Sequence, residues 1–193
     1  RGFKGQSASA SEIKPGDAIL MTKTAGIEGT GIIACDYEEE LREVLSGEEL
    51  EHAKSLLSKV SVVKDGIIAG RIGTHGMHDV TEGGILGAVW EMCSIAGTGA
   101  RLDAEAIPAD DVTRRICEHY DINMLRLISS GSMLIMTEED KKEEIIRELA
   151  AQGIPAAQIG KIVPKEEGLS ICEGGKQTQI GPPGPDELYK IVK

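Results

Sequence analysis

From His75 to Cys93 the chain runs His-Gly-Met-His-Asp-Val-Thr-Glu-Gly-Gly-Ile-Leu-Gly-Ala-Val-Trp-Glu-Met-Cys, and here residue types and spacing point to chemistry. A short apolar strand ends in Asp79, Thr81 and Glu82, after which the pair Gly83-Gly84 opens an amphipathic helix. The first N–H groups of such a helix have no intrahelical partner, and the aligned peptide dipoles put partial positive charge beside them. A phosphate or carboxylate is favoured at such a turn. Glycine leaves the main chain open to close approach, so Gly83 and Gly84 would offer backbone amides, while Thr81 would either cap the helix or donate to the ligand. The same residues also admit a purely structural reading, in which Asp79 or Thr81 caps the helix and the glycines let it pack tightly against the strand. His75, His78 and Asp79 lie close in sequence, but a lone His-x-x-His-Asp lacks the further ligands a metal needs, and no metal site is expected.

A second small-residue turn, Ser129-Ser130-Gly131, leads into the apolar run Met133–Met136. Ser130 and Gly131 are candidates for a loop facing the first turn across a ligand, although a plain turn accounts for them as well. Residues 26–31, dense in glycine, read as a loop after the strand Asp17–Thr22, with the same two readings open.

These turns need elements to hold them. Helical spacing runs through Glu38–Leu45 and Glu48–Val60, with Leu50, Ala53, Leu57 and Val60 on one face, and more weakly through Val62–Ile72. The helix opening near Gly83 carries Ile85, Leu86, Val89, Met92, Cys93 and Ala96 at core spacing, with Trp90 at its rim, and stops at Gly97 or Gly99. Asp110 or Asp111 caps a helix towards Tyr120, Asn123–Ile128 is a short helical piece, and Thr137 followed by three acids starts another helix that Gly153 ends. Met77–Val80, Ala100–Asp103, Gln158–Val163, Leu169–Glu173 and Lys176–Ile180 read as strands. Residues 181–185, Gly-Pro-Pro-Gly-Pro, break regular structure and leave Asp186–Lys193 as a short appended helix or loose tail. Strands interleaved with helices imply an α/β (α+β) layered sandwich, a mixed sheet covered by helices.

The 193 residues suit one ordinary domain, here 12–180, with 1–11 as linker or the remnant of an upstream segment and 181–193 as break and tail. The absence of an initial methionine suggests a fragment or processed product. A formal charge of −11 and 3 % aromatic residues argue against nucleic acid, which needs clustered cations and stacking platforms. No apolar run approaches the roughly 18 residues of a membrane helix, so no membrane partner is expected. Cys35, Cys93, Cys117 and Cys172 form no Cys-x-x-Cys pair and read as free thiols in a reducing compartment, hence a cytoplasmic protein.

The segment from His78 to Ile85, His-Asp-Val-Thr-Glu-Gly-Gly-Ile, resembles a signature of the C-terminal domain of the aminoimidazole ribonucleotide (AIR) synthase superfamily. Other landmarks follow in that family's order: Lys14-Pro15-Gly16-Asp17, the glycine loop from Ala25 to Gly31, Ile107-Pro108, the run from Ser129 to Ile135, and Ile159-Gly160-Lys161-Ile162. The resemblance covers roughly Ser11 to Ile180 and implies a layered, partly ferredoxin-like domain. Within the superfamily the late strands and the Asp-x-Thr-x-Gly-Gly form are most similar to the hydrogenase maturation members. The resemblance implies a two-domain, dimeric enzyme whose N-terminal half, missing here, supplies most contacts to ATP and Mg2+. The chemistry implied is phosphorylation of an amide or carbamoyl-type oxygen, on a small molecule or a protein tail, with this domain as the second wall of the site. On that basis Asp79, Thr81, Gly83, Gly84, Ser130 and Gly131 are the expected substrate- and phosphate-binding residues, no catalytic residue is assigned, and the isolated chain is expected to be inactive. One departure stands out: those members end in a reactive cysteine after Pro-Arg-Ile, whereas this chain ends Tyr189-Lys190-Ile191-Val192-Lys193. The competing reading is an interaction domain that keeps the fold without the chemistry.

Overall fold

A computed structural model describes residues 10–192. Most of the lead expected as linker thus lies outside the described residues, and Ala10–Glu12 form a 3-10 turn. Seven strands build one sheet: β1 Ala18–Thr22, β2 Gly76–Asp79, β3 Gly99–Asp103, β4 Met133–Thr137, β5 Ala156–Val163, β6 Leu169–Glu173 and β7 Lys176–Gln179. Their order across the sheet is β2-β4-β1-β5-β3-β6-β7, antiparallel throughout except for the β3–β6 pair. The helices are α1 Ile27–Asp36, α2 Glu38–Leu41, α3 Gly47–Ser55, α4 Val63–Ile72, α5 Gly84–Ala96, α6 Asp111–His119 and α7 Lys142–Ala151. The layered sandwich with a mixed sheet is the architecture expected from the sequence.

Both faces of the sheet centre are covered, which explains why β1 and β4 are apolar without alternation. Successive side chains of a strand point to opposite faces. Ile19 and Met21 accordingly join Leu134, Met136 and the α5 residues Ile85, Val89 and Met92 in one core. Ala18 and Leu20 join Ile135 with Ile145 and Leu149 of α7 in another. A third core gathers α1, α3, α6 and the tail through Ile27, Ile33, Leu50, Ile116 and Ile191. Fully burying each of these larger side chains contributes about 2 kcal/mol.

Three local expectations are corrected. Residues 27–36 are helix α1, not loop: Gly26 takes the left-handed conformation at its start, and a Cβ on Gly29 would lie 2.5 Å from Leu127 while one on Gly31 would lie 2.5 Å from Leu57. Those glycines serve packing of α1 against its neighbours. Thr137 is the last residue of β4 and starts no helix, because α7 begins only at Lys142. The tail is neither loose nor a full helix: Glu187–Lys190 form a 3-10 turn docked on the domain, with Asp186 buried.

Candidate functional site

Strand β2 lies at the sheet edge and pairs with β4, setting Asp79 opposite Met133. The ladder runs one residue further, Val80 N–H donating to the Ser132 carbonyl, and the buried Val80 side chain fixes where the chain leaves the sheet. Thr81 and Glu82 are exposed, then Gly83 (φ 79°) and Gly84 (φ 60°) turn the chain through left-handed conformations into α5.

Asp79 is partly buried, and its Oδ1 has no hydrogen-bond partner. Burial raises its pKa above the ordinary carboxylate value, and the Glu28 carboxylate adds to the shift; the Gly131 N–H, which faces the carboxylate, and the charges of His78 and Lys23 oppose it. Glu28, in the first turn of α1, also has a buried oxygen, Oε2, without a partner.

The Gly131 loop is held from behind. Gly131 has φ 108°, and a Cβ there would sit 2.6 Å from the Lys59 carbonyl, so only glycine fits. Its carbonyl accepts a 2.6 Å bond from Lys23 Nζ, which also pairs with the buried Asp65 at 2.8 Å and donates to Ser61 O at 3.1 Å. Lys23 itself has φ 57°, a strained conformation for a side-chain-bearing residue that these three acceptors hold in place. Ser129 and Ser132 are buried, their hydroxyls 2.9 Å apart, and both bond to the Thr24 carbonyl, whereas Ser130 is half-buried.

The AIR synthase related protein, C-terminal domain family matches residues 14–172. The chain belongs to this family. Among its relatives, the carbamoyl dehydratase HypE of Rhizobium leguminosarum bv. viciae is 26% identical over 157 residues, which are 78% of this chain and 41% of that protein. The phosphoribosylformylglycinamidine cyclo-ligase of Clostridium perfringens is 23% identical over 172 residues, 87% of this chain and 52% of that one. The fold is that of the hydrogenase maturation protein HypE of E. coli, with a TM-score of 0.78 at 23% identity over 96% of this chain and 56% of that one. A HypE solved in complex with ATP superposes with a TM-score of 0.69 at 20% identity, covering 95% of this chain and 55% of that one. The chain therefore spans about half the length of its relatives.

Within this AIR synthase-related domain the structure brings Asp79 and the Gly131 N–H together and leaves Thr81 exposed at the same turn. The expectation for the two glycine amides is corrected. Gly83 N–H donates to Asp186 Oδ2 at 2.7 Å and Gly84 N–H to the Thr81 carbonyl at 3.1 Å, so neither is open to a guest. Asp186, 4% exposed, also accepts from Ile128 N at 3.1 Å and Leu188 N at 2.9 Å. Gly84 is a packing glycine, since a Cβ there would come within 2.6 Å of the Leu125 carbonyl.

The histidines look elsewhere: His75 Nδ1 lies 2.8 Å from the buried Asp17 and His78 Nε2 3.1 Å from Glu91. Among the described residues no group of three or more His, Cys, Asp or Glu is placed to hold a metal ion. No helix among the described residues is long and apolar enough to cross a membrane.

Sequence reasoning missed Glu28, Lys23 and Asp186. Glu28 sits inside the glycine-rich stretch already singled out, where an acid among small residues was the available signal. Lys23 and Asp186 act through contacts 108 and 103 residues distant in sequence, which no local pattern announces.

Proposed function

We propose that this chain is the C-terminal, substrate-binding half of an ATP-dependent AIR synthase-related enzyme that activates an amide or carbamoyl-type oxygen by phosphorylation. The observation carrying this reading is the carboxylate of Asp79, held half out of water at a strand end with one oxygen unpartnered and a raised pKa, beside a Gly131 loop fixed by Lys23. Leaving a carboxylate oxygen dry and unpaired costs stability, and such a cost is typical of a group kept for a ligand.

An ionised Asp79 repels phosphate directly. Its partner is therefore a donor on the substrate, an N–H or O–H, or a cation brought with the nucleotide. Thr81 and Ser130 supply hydroxyl donors on either side, and Gly83 and Gly84 shape the turn while Asp186 takes the amide that family resemblance gave to phosphate. Catalysis of this kind depends on positioning and on neutralising charge in the transition state. The further carboxylates and the ATP and magnesium contacts come from an N-terminal half, in a homodimer. The HypE–ATP complex and the HypE relatives support nucleotide use and hydrogenase-maturation-like chemistry.

One observation favours the second reading, an interaction domain without chemistry: the Gly83 amide is already satisfied by Asp186. Isothermal titration of the longest encoded form of the protein with Mg-ATP separates the two. Under the enzymatic reading heat is released at up to millimolar nucleotide and Asp79→Ala abolishes turnover with substrate, while the 193-residue chain alone hydrolyses no ATP. No heat at millimolar nucleotide favours the interaction domain.

A further inference from the structure

A cleft of about 490 Å³ opens between the β6–β7 hairpin, the first turn of α5 and residues 122–126. Two guanidinium groups line it, Arg114 from α6 and Arg126 from the 3-10 turn Met124–Arg126. Of the other arginines among the described residues, Arg42, Arg101, Arg115 and Arg147 each pair with a glutamate, while Arg71, in a separate cleft with Lys64 and Glu148, has no ion-pair partner. Among the described residues Arg114 and Arg126 have no ion-pair partner, and the Arg126 guanidinium makes only a 3.5 Å contact to the Gly181 carbonyl. In a chain with 32 acids against 21 basic residues, two unneutralised guanidiniums at one cleft are unusual. One acid, the exposed Glu173, also lines it, so the lining keeps a net positive charge.

The remaining lining divides by chemistry. Leu86, Leu125 and Ile171 make an apolar floor, while Thr178 and Asn123 offer polar groups. The Asn123 Oδ1 accepts from Leu125 N at 3.0 Å, which leaves its NH2 group as a donor. Planar guanidinium groups match carboxylate and phosphate oxygens two at a time, and a few convergent donors over an apolar floor in a cavity of this size are the usual anatomy of a metabolite site.

We propose that this cleft binds a small anion, a carboxylate or phosphate on a short aliphatic body, with Arg114 and Arg126 on the anionic group and the floor beneath the body. The site shares no residue with the Asp79 turn, so it stands or falls independently of the nucleotide chemistry.

The test is an NMR titration of the 193-residue chain, following backbone amides and arginine Nε–H signals, with butyl phosphate and butyrate against inorganic phosphate and acetate. The expected result is saturable shifts at Arg114, Arg126 and Thr178, with each four-carbon anion binding at least about fivefold tighter than its short counterpart because of the buried methylenes. Whichever of butyl phosphate and butyrate binds tighter identifies the anionic group. R114Q and R126Q should each weaken binding by about tenfold with unchanged thermal melting, whereas R71Q, in a different cleft between α4 and α7, should not. Shifts that fail to saturate, or binding that survives the R114Q/R126Q double substitution, would overturn the proposal.

Discussion

Replacing Asp79 by asparagine should make the protein more stable at neutral pH, the reverse of what a structural cap would do. The carboxylate is partly buried, Oδ1 has no partner, and Glu28 adds like charge, so its ionised form is disfavoured in the folded state. The folded-state pKa is raised above the unfolded value of 3.8, so the folded protein holds the proton more tightly. Between the two values stability falls as pH rises. The penalty is absent below the unfolded pKa, grows as pH passes up to the folded one, and is constant above it. Asparagine removes the charge and keeps the acceptor that faces the Gly131 N–H. Discounted for partial exposure, the gain is about 1 kcal/mol at pH 7, or roughly 3 °C in Tm for a domain of this size. Thermal unfolding of both proteins from pH 3 to pH 8 measures it: the two curves should coincide at the acid end and separate upward. A D79N protein less stable at pH 7, or a difference independent of pH, would refute the argument that Asp79 is held in tension for a ligand.

Three further outcomes follow from the same contacts. D186A leaves the amides of Gly83, Ile128 and Leu188 without their acceptor in a buried setting and should cost about 2–4 kcal/mol in urea unfolding. G97A, at φ 70° with open space around it, should cost about 1 kcal/mol, whereas G84A, at φ 60° and 2.6 Å from the Leu125 carbonyl, should cost roughly 3 kcal/mol or more. With a thiol reagent in native buffer Cys35, exposed, should react first, while Cys93 and Cys117 react only on unfolding; burial raises both thiols, that of Cys117 to about 12 with the Glu187 charge adding to it.

Much of the fold was legible because its strongest signals are local. The core spacing from Ile85 to Cys93 announced α5, the unbroken apolar runs announced β1 and β4, and of the two candidate caps, Asp110 and Asp111, it is Asp110 that caps α6 through its side chain. The 26–31 stretch was misread because helix-packing glycines and loop glycines look alike until the partner, here Leu127 or Leu57, is known. At the site, the side chains at the strand end were legible from residue type, but the state of the Gly83 amide was not. It depends on a carboxylate 103 residues away, in a tail that composition marks only as broken by proline and glycine. Lys23 was hidden for a related reason: a left-handed lysine is intelligible only once Asp65, Ser61 and Gly131 are seen to converge on its ammonium group.

The most direct test of the central claim is a crystal structure of the longest encoded form bound to magnesium and a non-hydrolysable ATP analogue. The account predicts that a ligand donor, a bound cation or its water lies within hydrogen-bonding or coordination distance of Asp79 Oδ1, with the Gly131 loop where Lys23 holds it. A nucleotide bound elsewhere, with Asp79 still unpartnered and facing no ligand atom, would contradict it.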